Sequence, residues 1–175
     1  MGGELPVTEE RTLLDAILDG DLAGVSRFLE AGAAARWRDA NGHGAVFHAV
    51  FNRQWAVLDL LLAHGASIDL VGFRGWTPLF WAAFNGHADV VGQLVARGAD
   101  VSAATDDGDR PLFLAAYKGY TEVVRLLLAG GAQWDAVDHG GLDALSIARL
   151  RGHDEIARLL EAHATGRPGK RPDIH

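Results

Sequence analysis

The stretch Gly75-Trp76-Thr77-Pro78-Leu79-Phe80-Trp81-Ala82-Ala83, followed by Gly86-His87, Val90-Val91, Leu94 and Gly98-Ala99-Asp100-Val101, decides the fold. Thr77 can accept an orphan backbone N–H, and Pro78 has no N–H to leave unpaired, so a helix starts there. Leu79, Ala82 and Ala83 fall on one helical face, where the small alanines let a neighbouring helix approach. Gly86 ends that helix where a left-handed backbone is cheapest, and Val90, Val91 and Leu94 belong to a second one.

The same pattern recurs along the chain. Pro111-Leu112-Phe113-Leu114-Ala115-Ala116, Gly119-Tyr120, Val123-Val124 and Leu127-Leu128 repeat much of it. Gly32-Ala33, Gly65-Ala66, Gly98-Ala99 and Gly131-Ala132 are spaced by 33 residues, and Gly42, Gly75, Gly108 and Gly141 keep the same step. A fixed period of this length means stacked two-helix units, each covering its apolar face on its neighbours. These marks resemble the ankyrin repeat, whose Thr-Pro-Leu-His start, Gly-His turn and Gly-Ala end they follow. The resemblance implies an all-α solenoid of stacked helix-turn-helix units with β-hairpin-like tips.

Both ends can be placed by the same reasoning. Thr8 before Glu9 and Glu10 reads as an N-cap with carboxylates at the positive helix end, and Leu13, Leu14, Ile17 and Leu18 form an apolar face. Asp143 has the residue type for a cap in the last unit. Asp154, Glu155, Arg158 and Glu161 alternate with Ile156, Leu159 and Leu160, the pattern of an outer helix with one solvated face. One domain over 8–164 is expected, in units near 8–38, 39–71, 72–104, 105–137 and 138–164. Residues 1–7 and the polar 165–175 flank it as flexible ends. Arg53 stands where later units have Gly86, Gly119 and Gly152, a departure costing roughly 1–2 kcal/mol if the left-handed backbone is kept.

Composition narrows the function. A content of 49% hydrophobic residues in 175 can bury a core, and no apolar run approaches a membrane span. The net charge of −7 and scattered basic residues argue against nucleic acid, with Arg167, Lys170 and Arg171 the one basic cluster. There is no cysteine and no secretory pattern at the start, so a cytoplasmic monomer is the expectation. Ser26, Ser67, Ser102 and Ser146 sit in no nucleophile elbow, and no glycine loop cradles phosphate. His87 and His153 belong to the Gly-His turn, while His43 and His139 lie on tips three repeats apart and cannot share a metal. No catalytic residue, metal or cofactor is expected.

A resemblance to ankyrin repeats implies partner binding through the tips and the exposed side of each first helix, the concave face. The tips bring Ala40, Asn41 and His43, then Phe73, Arg74 and Trp76, then Asp106, Asp107 and Asp109, then His139, Gly140 and Leu142. Along the first helices the register gives Leu18, Phe51, Phe84, Tyr117 and Leu150, and beside them Asp19, Asn52, Asn85, Lys118 and Arg151. Phe47, Phe80 and Phe113 replace the family's histidine between repeats and are assigned to the core. Phe51, Phe84 and Tyr117, flanked by Trp81 and His48, can serve core or partner.

Phe73, Arg74 and Trp76 lead the candidates, because large apolar groups exposed at a tip have no core to fill unless they fold back on their own helices. The acidic tip of Asp106, Asp107 and Asp109 crowds three like charges, which a basic partner surface can relieve; the spacing lacks a calcium loop. His43, Phe51, Phe84, Tyr117 and Lys118 complete the expected binding set. The expected function is a non-enzymatic module that binds or inhibits a partner protein, for instance as an immunity or antitoxin-type inhibitor of a toxin. A small-molecule or metal-dependent enzyme is the competing class, whose sign is a closed polar pocket.

Overall fold

Three helix starts follow from side-chain caps. In the computed structural model, which describes residues 7–32, 37–138 and 140–166, Thr77 accepts the Phe80 N–H at 3.0 Å and Pro78 opens α5 (Pro78–Phe84). Asp143 accepts the Ser146 N–H at 2.7 Å ahead of α9 (Ala144–Leu150), and Asp21 accepts the Gly24 N–H at 3.0 Å ahead of α2 (Leu22–Glu30). The remaining helices are α1 (Val7–Asp19), α3 (Ala45–Phe51), α4 (Trp55–Ala63), α6 (Ala88–Ala96), α7 (Pro111–Lys118), α8 (Thr121–Ala129) and α10 (Asp154–Gly166). They form five consecutive antiparallel pairs.

Stacking is regular. The first helices pack in series, α1 on α3, α3 on α5, α5 on α7 and α7 on α9. Among the second helices, α2 packs on α4, while α6, α8 and α10 pack in turn. One continuous core results, with Ile17, Val25, Leu58, Leu61, Leu79 and Leu94 fully buried in its first half and Leu127, Ile156 and Leu160 in its second. Ala82, Ala83, Ala115 and Ala116 are likewise buried, as their small size at the helix contacts requires. Ion pairs from Asp59 to Arg97 and from Arg53 to Asp89 reach across the step to α6.

Each tip is closed the same way. The N–H groups of Asp39, Gly72, Thr105 and Asp138 donate to the carbonyls of His43, Trp76, Asp109 and Leu142 at 2.9–3.0 Å. Gly42, Gly75, Gly108 and Gly141 donate back to the carbonyl of the first residue, which explains their fixed spacing. The tips are thus tight turns, and the described residues contain one isolated bridge, Arg38 to Gly44, and no extended strand.

Several expectations need correction. Helix α1 begins at Val7, so Thr8 lies inside it and is not its cap. Leu18 is 41% exposed and faces away from the core that holds Leu13 and Ile17. Of the three phenylalanines assigned to the core, Phe80 is buried and Phe113 is half-buried but packed against the core, while Phe47 is half-buried and lines a groove on the surface. Helix α10 continues through Thr165, whose hydroxyl donates to the Glu161 and Ala162 carbonyls. Arg53 does keep the left-handed backbone, with φ of 55°, the case in which its departure from glycine is costly. No described helix is long and apolar enough to cross a membrane. Ala33, His139, Arg167, Lys170 and Arg171 lie outside the described residues.

Candidate functional site

Three tips are braced by their own first residue. Asp39 Oδ1 accepts the N–H groups of Asn41 and His43, each at 2.8 Å, and Asp138 Oδ1 accepts those of Gly140 and Leu142 at 2.8 and 2.9 Å. Thr105 Oγ1 accepts the Asp109 N–H at 3.2 Å. The tip between α4 and α5 has Gly72 there and cannot be braced in this way. A Cβ at Gly72 would lie 2.6 Å from the His43 ring, so a side chain there requires that ring to move.

The unbraced tip hangs on the next one instead. Residues Phe73–Gly75 form a 3-10 turn in which Arg74 takes a left-handed backbone, φ 58°. The Arg74 carbonyl accepts the Asp106 N–H at 3.2 Å, and its guanidinium pairs with Asp107. Gly75 permits this approach, since a Cβ on it would fall 2.8 Å from the Asp106 nitrogen. Phe73, at the head of the turn, is left 66% exposed.

Two groups of rings line the face behind the tips. In one, Phe47 stacks on His43 (centroids 4.0 Å apart) and lies edge-on to Trp81 (5.9 Å), while Phe51 tilts against Trp81 at 4.9 Å. In the other, Trp76 packs on Phe80 at 4.9 Å and Phe84 at 5.0 Å. Between them runs an open groove of about 490 Å³. Its walls are Asn41 and His43 from one tip, Phe73, Arg74 and Trp76 from the next, and Phe47, Phe51 and Trp81 from α3 and α5.

A regular covering pattern continues along the first helices. The Lys118 ammonium sits 3.5 Å from the centroid of Phe84, and the Arg151 guanidinium 4.3 Å from that of Tyr117. Each ring is therefore covered by a cation from the following unit. Phe51 breaks the pattern, because Asn85 occupies the covering position and donates its amide to the Trp81 carbonyl at 2.8 Å. Phe51 remains 50% exposed.

A family model described as Ankyrin repeats (3 copies) matches residues 13–105 and 97–168. The chain belongs to the ankyrin-repeat family. No curated protein matches the chain. Ankyrin repeats are general protein–protein interaction modules, and the family is typically non-enzymatic.

Within this ankyrin array the expected binding residues separate into distinct environments. His43, Phe51, Phe73, Arg74 and Trp76 come together around one groove. Phe84, Tyr117 and Lys118 lie outside it, and Lys118 is engaged on Phe84. Trp76 is not the free tip aromatic expected from the sequence; it is half-buried, folded back on Phe80 and Phe84 of its own helix. Of the acidic tip, one carboxylate has an ion-pair partner among the described residues. Arg74 supplies a cation to Asp107, and Asp109 closes its own turn through its backbone.

One polar cluster escaped the sequence reading. Asp39 Oδ2 lies 3.1 Å from His48 Nε2 and 3.4 Å from His43 Nδ1, and buried Trp37 stands edge-on to the His48 ring at 5.4 Å. Partial burial raises the Asp39 carboxyl, but bonds from the His43 and Asn41 N–H groups, with His48 and His43, outweigh it and hold the pKa below the ordinary value. Burial pushes the His48 imidazole down, and Asp39 offsets this in part. The signal available in the sequence was Asp39 itself, aligned with the bracing Thr105 and Asp138. Among the described residues no group of three or more His, Asp or Glu is arranged to hold a metal ion.

Proposed function

We propose that this ankyrin array is a non-enzymatic binding module that docks a partner protein in the groove between the tips carrying His43 and Phe73. The observation that carries this reading is the exposure of Phe73 and Phe51, 66% and 50%, both lining one groove. Large apolar side chains converging on an open cleft leave a driving force for association unspent on folding. The groove walls also favour a specific partner over nonspecific adhesion. Arg74 is fixed by the neighbouring tip, and Phe47, Phe51 and Trp81 hold one another, so little side-chain freedom is lost on docking.

The test is affinity capture with wild-type protein and with a Phe51→Ala, Phe73→Ala double variant, both verified as folded by circular dichroism. A protein retained by the wild type and lost by the variant is expected, with new hydrogen-exchange protection on α3 and the Phe73–Gly75 turn in the complex. Retention of the same proteins by both forms places the binding surface elsewhere.

A further inference from the structure

We infer that the groove seats a cationic side chain of the partner, an arginine guanidinium or lysine ammonium, against the exposed ring of Phe51. The inference rests on the partner-binding reading and specifies what the partner inserts. Along the row of first helices the chain uses this contact twice, with Lys118 on Phe84 and Arg151 on Tyr117, each cation arriving from the unit that follows. At the equivalent step Asn85 replaces the cation, its amide turned to the Trp81 carbonyl. Phe51 holds the same register position as its two covered counterparts and has Trp81 tilted against it at 4.9 Å, but no cation among the described residues lies over its ring.

Charge favours the same occupant. The chain carries a net −7. Arg74, the one charged residue among the described residues that line the groove, is paired with Asp107, and the flanking tips carry Asp39, Asp106 and Asp109 against Arg38 and Arg110, so a small acidic excess remains. Phe47, Phe51 and Trp81 present ring faces and edges that can enclose a flat guanidinium, which sheds its water more readily than an ammonium. An apolar partner side chain would also fit the volume, but it would gain nothing from the net negative charge of the chain.

The probes are N-acetyl-arginine amide and N-acetyl-citrulline amide, which share a shape and differ in charge. Each is titrated into the full chain at constant ionic strength, with the Phe51 ring and Trp81 indole followed by NMR. Concentrations on the order of tens of millimolar are needed, because a single cation–ring contact is weak. The arginine probe is expected to shift both signals and the citrulline probe to bind at least fivefold more weakly. Asn85→Lys, which places an ammonium where Lys118 stands one unit later, should remove the response without lowering the melting temperature. Asn52→Lys adds the same charge beside Leu18, where no ring awaits it, and should leave the response intact.

Equal binding of the two probes, a response that survives Asn85→Lys, or no response to either probe overturns the cation seat. If a captured partner is nevertheless lost by the Phe51→Ala, Phe73→Ala variant, the binding-module reading stands without it. If that variant loses no partner, the groove is not the docking surface and the reading on which the cation seat rests fails as well.

Discussion

The carbonyl of Arg74 accepts the backbone N–H of Asp106 at 3.2 Å, so the tip without an internal brace is held by its neighbour's main chain. Arg74 meets this bond with a φ of 58°, a conformation that costs a residue with a Cβ about 1–2 kcal/mol. Glycine adopts it freely. Arg74→Gly and Arg74→Ala both remove the exposed ion pair with Asp107, and only the alanine keeps the strain. Arg74→Ala is expected to be less stable than Arg74→Gly by about 1 kcal/mol, read from urea titrations with unchanged slope. Equal stabilities would mean the turn relaxes when the arginine is removed.

Trp76 and Phe73 sit three residues apart on one tip and should behave oppositely. Trp76 packs on Phe80 and Phe84, so Trp76→Ala should destabilise by about 2–3 kcal/mol, below the roughly 3–5 kcal/mol expected for buried Phe80→Ala. Phe73, two-thirds exposed, should change stability by no more than about 0.5 kcal/mol on truncation to alanine. Chemical denaturation of the three variants orders them. A Trp76→Ala variant as stable as wild type would mean that its ring contacts contribute nothing to the fold.

The repeat was legible because stacking imposes it on every unit. Thr77 and Asp143 as caps, the turn glycines and the buried alanines each answer a backbone or packing demand that recurs every 33 residues. The groove was only partly legible because it depends on departures from the repeat. Gly72 in place of a bracing residue lets His43 close in, and Asn85 in place of a cation leaves Phe51 open. Periodicity gives the position of Trp76 but not its rotamer, so a ring at a tip could not be distinguished from one folded onto Phe84. Cross-unit pairs such as Arg74 with Asp107 require the rotation between units, which spacing alone does not give.

The pH dependence of stability should carry the mark of His48. Its folded pKa is depressed by burial below the ordinary value near 6.5, so the unfolded chain binds the proton more readily. The resulting stability is complete above that value and is lost as the pH falls through the depressed one. Asp39, also held below its ordinary value, adds a loss of the same sign at still lower pH. His43 and Asp39 are the titratable groups in contact with His48 and belong in the same analysis. The urea midpoint should therefore fall between about pH 7.5 and about pH 5, and fall less in His48→Gln. Parallel decline in both proteins would assign the acid sensitivity to other groups.

Lys118 and Phe84 provide the reference for every ring in the row. An ammonium 3.5 Å from a ring centroid, half-shielded from water, should couple to it by about 0.5–1 kcal/mol. The single losses are ambiguous, since Lys118→Met also removes a charge from an acidic protein and Phe84→Leu also loosens the contact with Trp76. A double-mutant cycle cancels both side effects, provided that each substitution leaves the other's remaining contacts unchanged. The cycle is expected to return a coupling of that size which persists in high salt, because the charge meets a ring face and not an exposed carboxylate. A coupling near zero would reduce the cations of the row to solvated neighbours of their rings, and the vacancy above Phe51 would lose its meaning as a seat for charge.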